Sequence, residues 1–339
     1  MAAKQRLYWI DTTKTICIIC VYYAHCVAFT TGNINLVKAV SPFYVNAFFF
    51  VSGYLLYKKY LQENIIINFA SQAYINGIKT CIYKIIFPTI IFSSIIYIPK
   101  NLFHECSINY STFALDVLGG CSFWFTSALA IAQLTILTLF LTKIKNIFFY
   151  FIATAIIFST IQYLCDFSSQ SALFYFPWFW RTGLIYTFVL TLGGIYYTFE
   201  KEINLFLHKG GIIAIAIISI YAYFYLYSND NISFLGLSGR CTMLGFIGAI
   251  STTLLLIFMI RRCGSHTITN FIGRNSIVFY FLSGAVPNIV AIVLKKIFDG
   301  NILLLGTLIV SFATSYLAAN IINKYFPYLM DIRLLKAKK

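Results

Sequence analysis

The stretch D-T-T-K-T-I-C-I-I-C-V-Y-Y-A-H, Asp11 to His25, places an acid, a base and an imidazole inside a segment otherwise apolar enough to cross a bilayer. Ionisable groups at membrane depth are expensive and are kept where they have a partner or a task, so this segment is the first place to seek chemistry. At about 100° and 1.5 Å per residue, the step from Lys14 to His25 makes about three full turns of helix. The two side chains therefore share one face, about 16 Å apart along the axis. Asp11 precedes Lys14 by one turn, at the i,i+3 spacing that lets a carboxylate pair with an ammonium.

The rest of the chain fits the same environment. Of 339 residues, 60% are apolar and only 10% charged, and the mean hydropathy is +0.82. These values exclude an ordinary soluble domain and imply a polytopic membrane protein. The 34 Phe and 25 Tyr suit lipid-facing surfaces and interfacial belts without identifying a ligand. A net charge of +15 raises nucleic acid as a partner. The basic residues, however, are scattered singly and in pairs between apolar runs, so membrane topology explains them and no nucleic acid is expected.

Apolar runs of spanning length read near 10–29, 43–57, 85–98, 123–142, 146–164, 181–199, 211–228, 239–260, 275–294 and 302–322. About ten spans make an all-α transmembrane bundle with both termini on one side. If that side is the cytoplasm, Lys38, Lys100, Arg181, Arg240, Lys295 and Lys296 face outward and the other 19 of the 25 Lys and Arg face inward. That is the bias expected of cytoplasmic termini. The first run carries Lys14 and lacks a small-residue cleavage site, so no cleavable signal peptide is expected. The longest stretches between runs, about 58–84 and 99–122, are too short for a soluble domain. Residues 1–339 thus read as a single membrane domain in the inner or plasma membrane.

Cys17 and Cys20 form a C-x-x-C, which inside a lipid-embedded helix reads as small apolar packing. Cys106, Cys121 and Cys165 fall on the expected outer side, where an oxidising compartment would allow a disulfide among them. Neither the His nor the Cys residues are spaced as a recognised metal site, so no metal is expected.

R-L-Y-W-I-D-x-x-K, followed by ten residues and His25, resembles the first helix of the acyltransferase-3 family of integral membrane acyltransferases. In that family a basic residue is followed by ten residues and a His; Lys14 takes the basic position, as in the sugar O-acetylase branch. Further matches follow in the family's order. F-F-F-V-S-G-Y-L-L (Phe48 to Leu56) is similar to its F-F-x-x-S-G-[FY] signature, and Lys84-Ile85-Ile86-Phe87-Pro88 resembles the basic residue, apolar triplet and Pro that open the third helix. Phe123-Trp124-Phe125 with Ala128 and Leu129 resembles a W-F-x-x-A-L segment. Leu192 to Tyr196 resembles a Gly-Tyr helix end, and Gly273-Arg274-Asn275-Ser276 leading to Tyr280 resembles G-[KR]-N-S-[LI]-x-x-Y. Two positions depart from the pattern. Cys81 and Tyr83 stand where many relatives have a second basic residue before Lys84, leaving Lys79 as a substitute, and Ser283 stands where the late motif often ends in His.

The resemblance implies acyl transfer from a cytoplasmic acyl-CoA, acetyl-CoA by analogy, to a hydroxyl of a cell-envelope polysaccharide or lipid-linked glycan. The charge map suits this independently. The phosphates of CoA need cations, and Lys14, Lys79, Lys84 and Arg274 all fall near the expected inner face. Inside-positive topology with snorkelling also accounts for such residues, and is the reading for Lys58, Lys59, Lys143, Lys145 and the tail lysines. His25 lies roughly 22 Å into a core about 30 Å thick, where a thioester from inside would meet an acceptor from outside. There a neutral His25 would act as general base on the sugar hydroxyl, or carry the acyl group as an acyl-imidazole.

Asp11 is expected to neutralise and position Lys14. Ser52 and Gly53 allow close helix approach, and Ser52 can also donate a hydrogen bond to substrate. Asn275 and Ser276 either bind the acyl-CoA or satisfy backbone at a helix start. Trp124 offers an aromatic face to an acceptor sugar or anchors the interface. His104 and Glu105 read as an outer-loop pair able to help the acceptor proton leave, with a solvated pair as the simpler reading; His208 and His266 are given no chemistry. A transporter or flippase of a lipid-linked saccharide would share the span count and buried charges, but would show paired interrupted helices or internal repeats, and neither is evident. An inactive member acting as an assembly partner is the third reading, and the Lys14/His25 pair argues against it. The acyl-pocket size and the oligomeric state are not legible in the sequence.

Overall fold

The computed structural model describes residues 7–62, 71–103, 108–164, 177–228, 235, 241–264 and 266–334. No strand occurs among them, and the fold is all-α. The principal helices are α1 (Tyr8–Thr30), α2 (Tyr44–Gln62), α3 (Gln72–Cys81), α4 (Phe87–Phe103), α5 (Trp124–Phe140), α6 (Ile147–Leu164), α7 (Trp180–Thr198), α8 (Ile212–Ser228), α9 (Met243–Ile260), α10 (Thr267–Arg274), α11 (Ser276–Leu282), α12 (Ala285–Leu294) and α13 (Gly300–Tyr325). His104, Glu105, Cys106, Cys165 and Arg240 lie outside the described residues.

Among the described residues, each of the ten apolar runs falls largely on helix. Six segments are long and apolar enough to cross a membrane: Tyr8–Thr30, Gln72–Pro99, Ile147–Leu164, Glu200–Tyr225, Met243–Ile260 and Gly300–Tyr325. A seventh is formed if α11 and α12, bent by 48° at Ser283 and Gly284, count as one span. The structure thus shows six or seven candidate spans against the ten apolar runs, and the three runs without one lie on α2, α5 and α7. α5 has only 17 residues, and α2 carries Asn46, Lys58 and Lys59. α7 is buried along most of its length, packed on α5 and α6. A helix enclosed by other helices needs no apolar coat all round.

The chain forms two compact units. The first comprises Met1–Phe48, Lys201–Gly236 and Cys241–Ile321; the second comprises Phe49–Glu200, Leu237–Arg240 and Ile322–Lys339. In the first, α1 packs against α9, α10, α11 and α12, and α8 lies against α9. Tyr22 is fully buried at its centre, donating its hydroxyl to the carbonyl of Phe279 at 3.0 Å while its ring meets Phe312 edge-on. Cys17 and Cys20 are buried free thiols on α1, as small packing residues should be.

The second unit is built around aromatic contacts and glycine crossings. Phe49 stacks on Tyr186 at 3.9 Å between centroids and meets Phe125 edge-on. Tyr57, Phe140 and Tyr150 form a second cluster. Lipid is as apolar as Leu, so helices in a membrane associate through close packing and polar contacts rather than through exclusion of water. Here that packing comes from Gly53 and Gly193. A Cβ at Gly53 would lie 1.9 Å from the carbonyl oxygen of Leu190, and one at Gly193 would lie 2.0 Å from that of Phe50. α2 and α7 thus cross with backbone against backbone.

Candidate functional site

The Asp11–His25 segment lies wholly within one continuous helix, α1, so Lys14 and His25 share its face as the spacing requires. The start of α1 is fixed by its own motif. Tyr8 donates its hydroxyl to the carbonyl of Arg261 at 3.0 Å, and the Arg261 guanidinium sits 4.8 Å from the Trp9 ring centroid. The L-Y-W-I-D aromatics therefore anchor α1 to the C-terminal end of α9. Asp11 is 3% exposed, while Lys14 and His25 are half-buried. The His25 ring stacks on Phe29 one turn later, with centroids 6.1 Å apart. Neither of its ring nitrogens has a hydrogen bond among the described residues.

The late Gly-Arg-Asn-Ser motif meets α1 directly. A Cβ at Gly273 would lie 2.2 Å from the backbone oxygen of Asp11, so only glycine lets α10 touch α1 there. Thr15 reinforces the crossing: its hydroxyl lies 2.7 Å from the carbonyl of Thr269 and 3.0 Å from that of Asp11. The next residues, Arg274, Asn275 and Ser276, follow from the residue that touches Asp11. Arg274 is exposed, Asn275 half-buried and Ser276 buried. Asn275 interrupts the helix with φ −102° and ψ 17° and donates its side-chain amide to the carbonyl of Phe271 at 2.8 Å. Its side chain thus satisfies backbone between α10 and α11. Ser283, at the missing late His, is buried at the bend after α11 and donates to the carbonyl of Tyr280 at 2.7 Å.

The remaining candidates belong to the second unit. Ser52 is half-buried on α2 beside Gly53, whose contact with α7 is a packing contact. Lys79 is exposed near the end of α3, and Lys84 is exposed in a π turn, Ile82–Ile86, between α3 and α4. The sequence explains that turn. Pro88 has no N–H for the carbonyl of Lys84, and its ring would clash with that carbonyl in a regular helix. Widening the turn by one residue absorbs the conflict and re-aims Lys84.

Trp124 is half-buried and opens α5. Beside that end of α5 is an aromatic turn the sequence did not disclose. Trp178 and Phe179 have φ of +57° and +48°, strained values for bulky residues. Trp178 is held by its backbone N–H to Gly119 O at 2.7 Å and its indole N–H to Leu118 O at 3.0 Å. Gly120 makes room for the ring, and Ser127 of α5 donates to Gly120 O at 2.7 Å. Cys121, just after it, is half-buried.

Two further residues have no sequence signal at all. Asp331 and Arg333, beyond α13, reach the turn that carries Lys84: Arg333 pairs with Asp331 at 2.6 Å, and Asp331 lies 4.0 Å from the Lys84 ammonium.

The described residues thus place Asp11, Lys14, His25 and Arg274 in the first unit, and Lys79, Lys84, Trp124, Asp331 and Arg333 in the second. A family model described as an acyltransferase domain, that of the acyltransferase-3 family, matches residues 7–320. No curated protein and no solved structure matches the chain. A match over nearly the whole length, on a chain with several helices apolar enough to span a bilayer, makes this a multi-pass membrane acyltransferase that belongs to the acyltransferase-3 family.

Proposed function

We propose that the protein is an O-acyltransferase of the inner or plasma membrane that moves an acetyl group from cytoplasmic acetyl-CoA to a hydroxyl of a cell-envelope polysaccharide or lipid-linked glycan. In this reading about ten spans place both termini in the cytoplasm. The observation that carries it is the crossing at Gly273, which seats the Gly-Arg-Asn-Ser motif on the backbone of Asp11, one turn before Lys14 on the helix that carries His25.

Lys14 and Arg274 are assigned to the phosphates of the donor, with Asn275 and Ser276 next to Arg274 in the chain, and Lys79 and Lys84 are each assigned to donor phosphate separately. Asp11 limits the repulsion between Lys14 and Arg274 and keeps Lys14 in place. His25, about 16 Å further along α1, meets the thioester end. As general base its neutral ring takes the proton from the acceptor hydroxyl while that oxygen attacks the thioester carbonyl. The C–S bond breaks, and the imidazolium returns the proton to the CoA thiolate. In the two-step form the ring nitrogen is itself acylated, CoA leaves as the thiol, and the hydroxyl then takes the acyl group and frees the ring. Trp124 and Ser52 are assigned to the acceptor, by stacking and by hydrogen bonding.

The test uses purified protein in membranes containing host glycolipid, with radiolabelled acetyl-CoA. Wild type is expected to bind and turn over the donor; Lys14→Ala is expected to bind it about tenfold more weakly, which is about 1.4 kcal/mol. Absence of donor binding by folded wild type would remove acetyl-CoA from the reading and reopen saccharide transport.

A further inference from the structure

We propose that Lys84 and Arg333 together form a two-cation site for one phosphate group, organised by Asp331. The proposal deepens the donor reading above and rests on it for the identity of the phosphate. It does not follow from the family, because Asp331 and Arg333 lie beyond the matched segment, which ends at residue 320.

Asp331 accepts from Arg333 Nε through Oδ1 at 2.7 Å and from Nη2 through Oδ2 at 2.6 Å, a bidentate fork. The backbone N–H of Arg333 also donates to Oδ1, at 3.2 Å. The guanidinium lies 5.5 Å from the centroid of the Tyr83 ring, so it is held from two sides. Lys84 Nζ lies 4.0 Å from Oδ2, close enough to feel the carboxylate but beyond hydrogen-bond distance. The short helical turn Pro327–Leu329 packs on α4 and brings this segment to the π turn.

Charge and exposure then decide what the cluster does. Two cations share one carboxylate, leaving a net charge of about +1. The Asp331 side chain is 14% exposed, whereas those of Lys84 and Arg333 are 54% and 44% exposed. The carboxylate therefore lies beneath the cations, and an approaching anion meets the cations first. Lys84 keeps its three donors, and Arg333 spends only two of its five N–H groups on the Asp331 side chain. Hydrogen bonds from Arg333 hold the Asp331 carboxyl below the usual carboxylate range, so the organiser stays charged at neutral pH. A single salt bridge would need no second cation. The spare donors suit a phosphate oxygen pair, from the acyl donor or from an anionic lipid headgroup.

The test uses the full chain in nanodiscs of zwitterionic lipid, with coenzyme A as probe, and repeats it with phosphatidylglycerol included. Arg333→Ala and Lys84→Ala should each weaken coenzyme A binding about tenfold, with Arg333→Lys intermediate because it keeps the charge and loses the fork. The thermal unfolding temperature should fall only slightly, because the pair is exposed on the Arg333 side, and the salt dependence of binding should flatten in both alanine variants. If instead coenzyme A binding is insensitive to Arg333 while retained phosphatidylglycerol falls in Arg333→Ala, the site stands with a lipid phosphate as its ligand. If wild type binds no coenzyme A but lipid retention depends on Arg333, the donor reading fails and the phosphate site survives. Arg333→Ala with unchanged coenzyme A binding and unchanged lipid retention would overturn the proposal.

Discussion

The two glycine crossings use one device to different ends. At α2 and α7, Gly53 and Gly193 bring two backbones together among aromatic side chains. At α1 and α10, Gly273 does the same against Asp11, within one helical turn of Lys14 and next to Arg274. Both contacts supply the close packing that helices in lipid require. Only the second places ionisable groups at the point of contact, where a shift of an ångström changes charge spacing as well as packing. Glycine in the first crossing therefore serves the fold, whereas glycine in the second serves the fold and, in the proposed reading, the spacing of the donor-binding charges.

The largest effects separate these two roles. Gly53→Ala and Gly273→Ala each force backbone apart and should each destabilise the protein by about 3 kcal/mol, measured by thermal unfolding in detergent. The folded fraction of Gly53→Ala should bind coenzyme A as wild type does, whereas that of Gly273→Ala should bind it more weakly; equal affinities would break the comparison. Next in size, Thr15→Val removes the hydroxyl that bridges α1 to Thr269 and should cost about 1 kcal/mol. A cost near zero would mean that Gly273 alone holds the crossing. Tyr8→Phe removes an exposed hydrogen bond to Arg261 and should cost about 0.5 kcal/mol, with donor affinity unchanged. The smallest expected effect is one of pH. Asp331 has a lowered folded-state pKa, so its contribution is present above the ordinary carboxylate range and is lost only as pH falls through the lowered value. The ratio of coenzyme A affinities of wild type and Arg333→Ala should thus be flat from about pH 6 to 8.

The helical class, the place of each apolar run and the shared face of Lys14 and His25 were legible because hydropathy and helical periodicity are local. Span number was less so. The run on α7 carries Arg181 and several threonines and glycines, and the structure gives six or seven candidate spans rather than ten. The π turn at Lys84 was readable in principle from Pro88, since a missing N–H has a predictable victim four residues earlier. The role of Gly273 was visible only as a letter in a motif; its reason is a contact with Asp11, 262 positions away in the chain. Arg333 carried no signal, because nothing local in a basic tail shows that one residue will fold back over Tyr83. The same holds for the Trp178 turn, whose left-handed backbone is imposed by contacts with Leu118 and Gly119.

In the proposed function α1 divides the work, with Lys14 gripping the donor and His25 doing the chemistry. That division is tested most directly by a single-turnover measurement on folded His25→Ala with radiolabelled acetyl-CoA and glycolipid from the host membrane. Donor binding within about twofold of wild type and transfer slowed by about 10²–10⁴ are expected. Transfer at the wild-type rate by His25→Ala would contradict it.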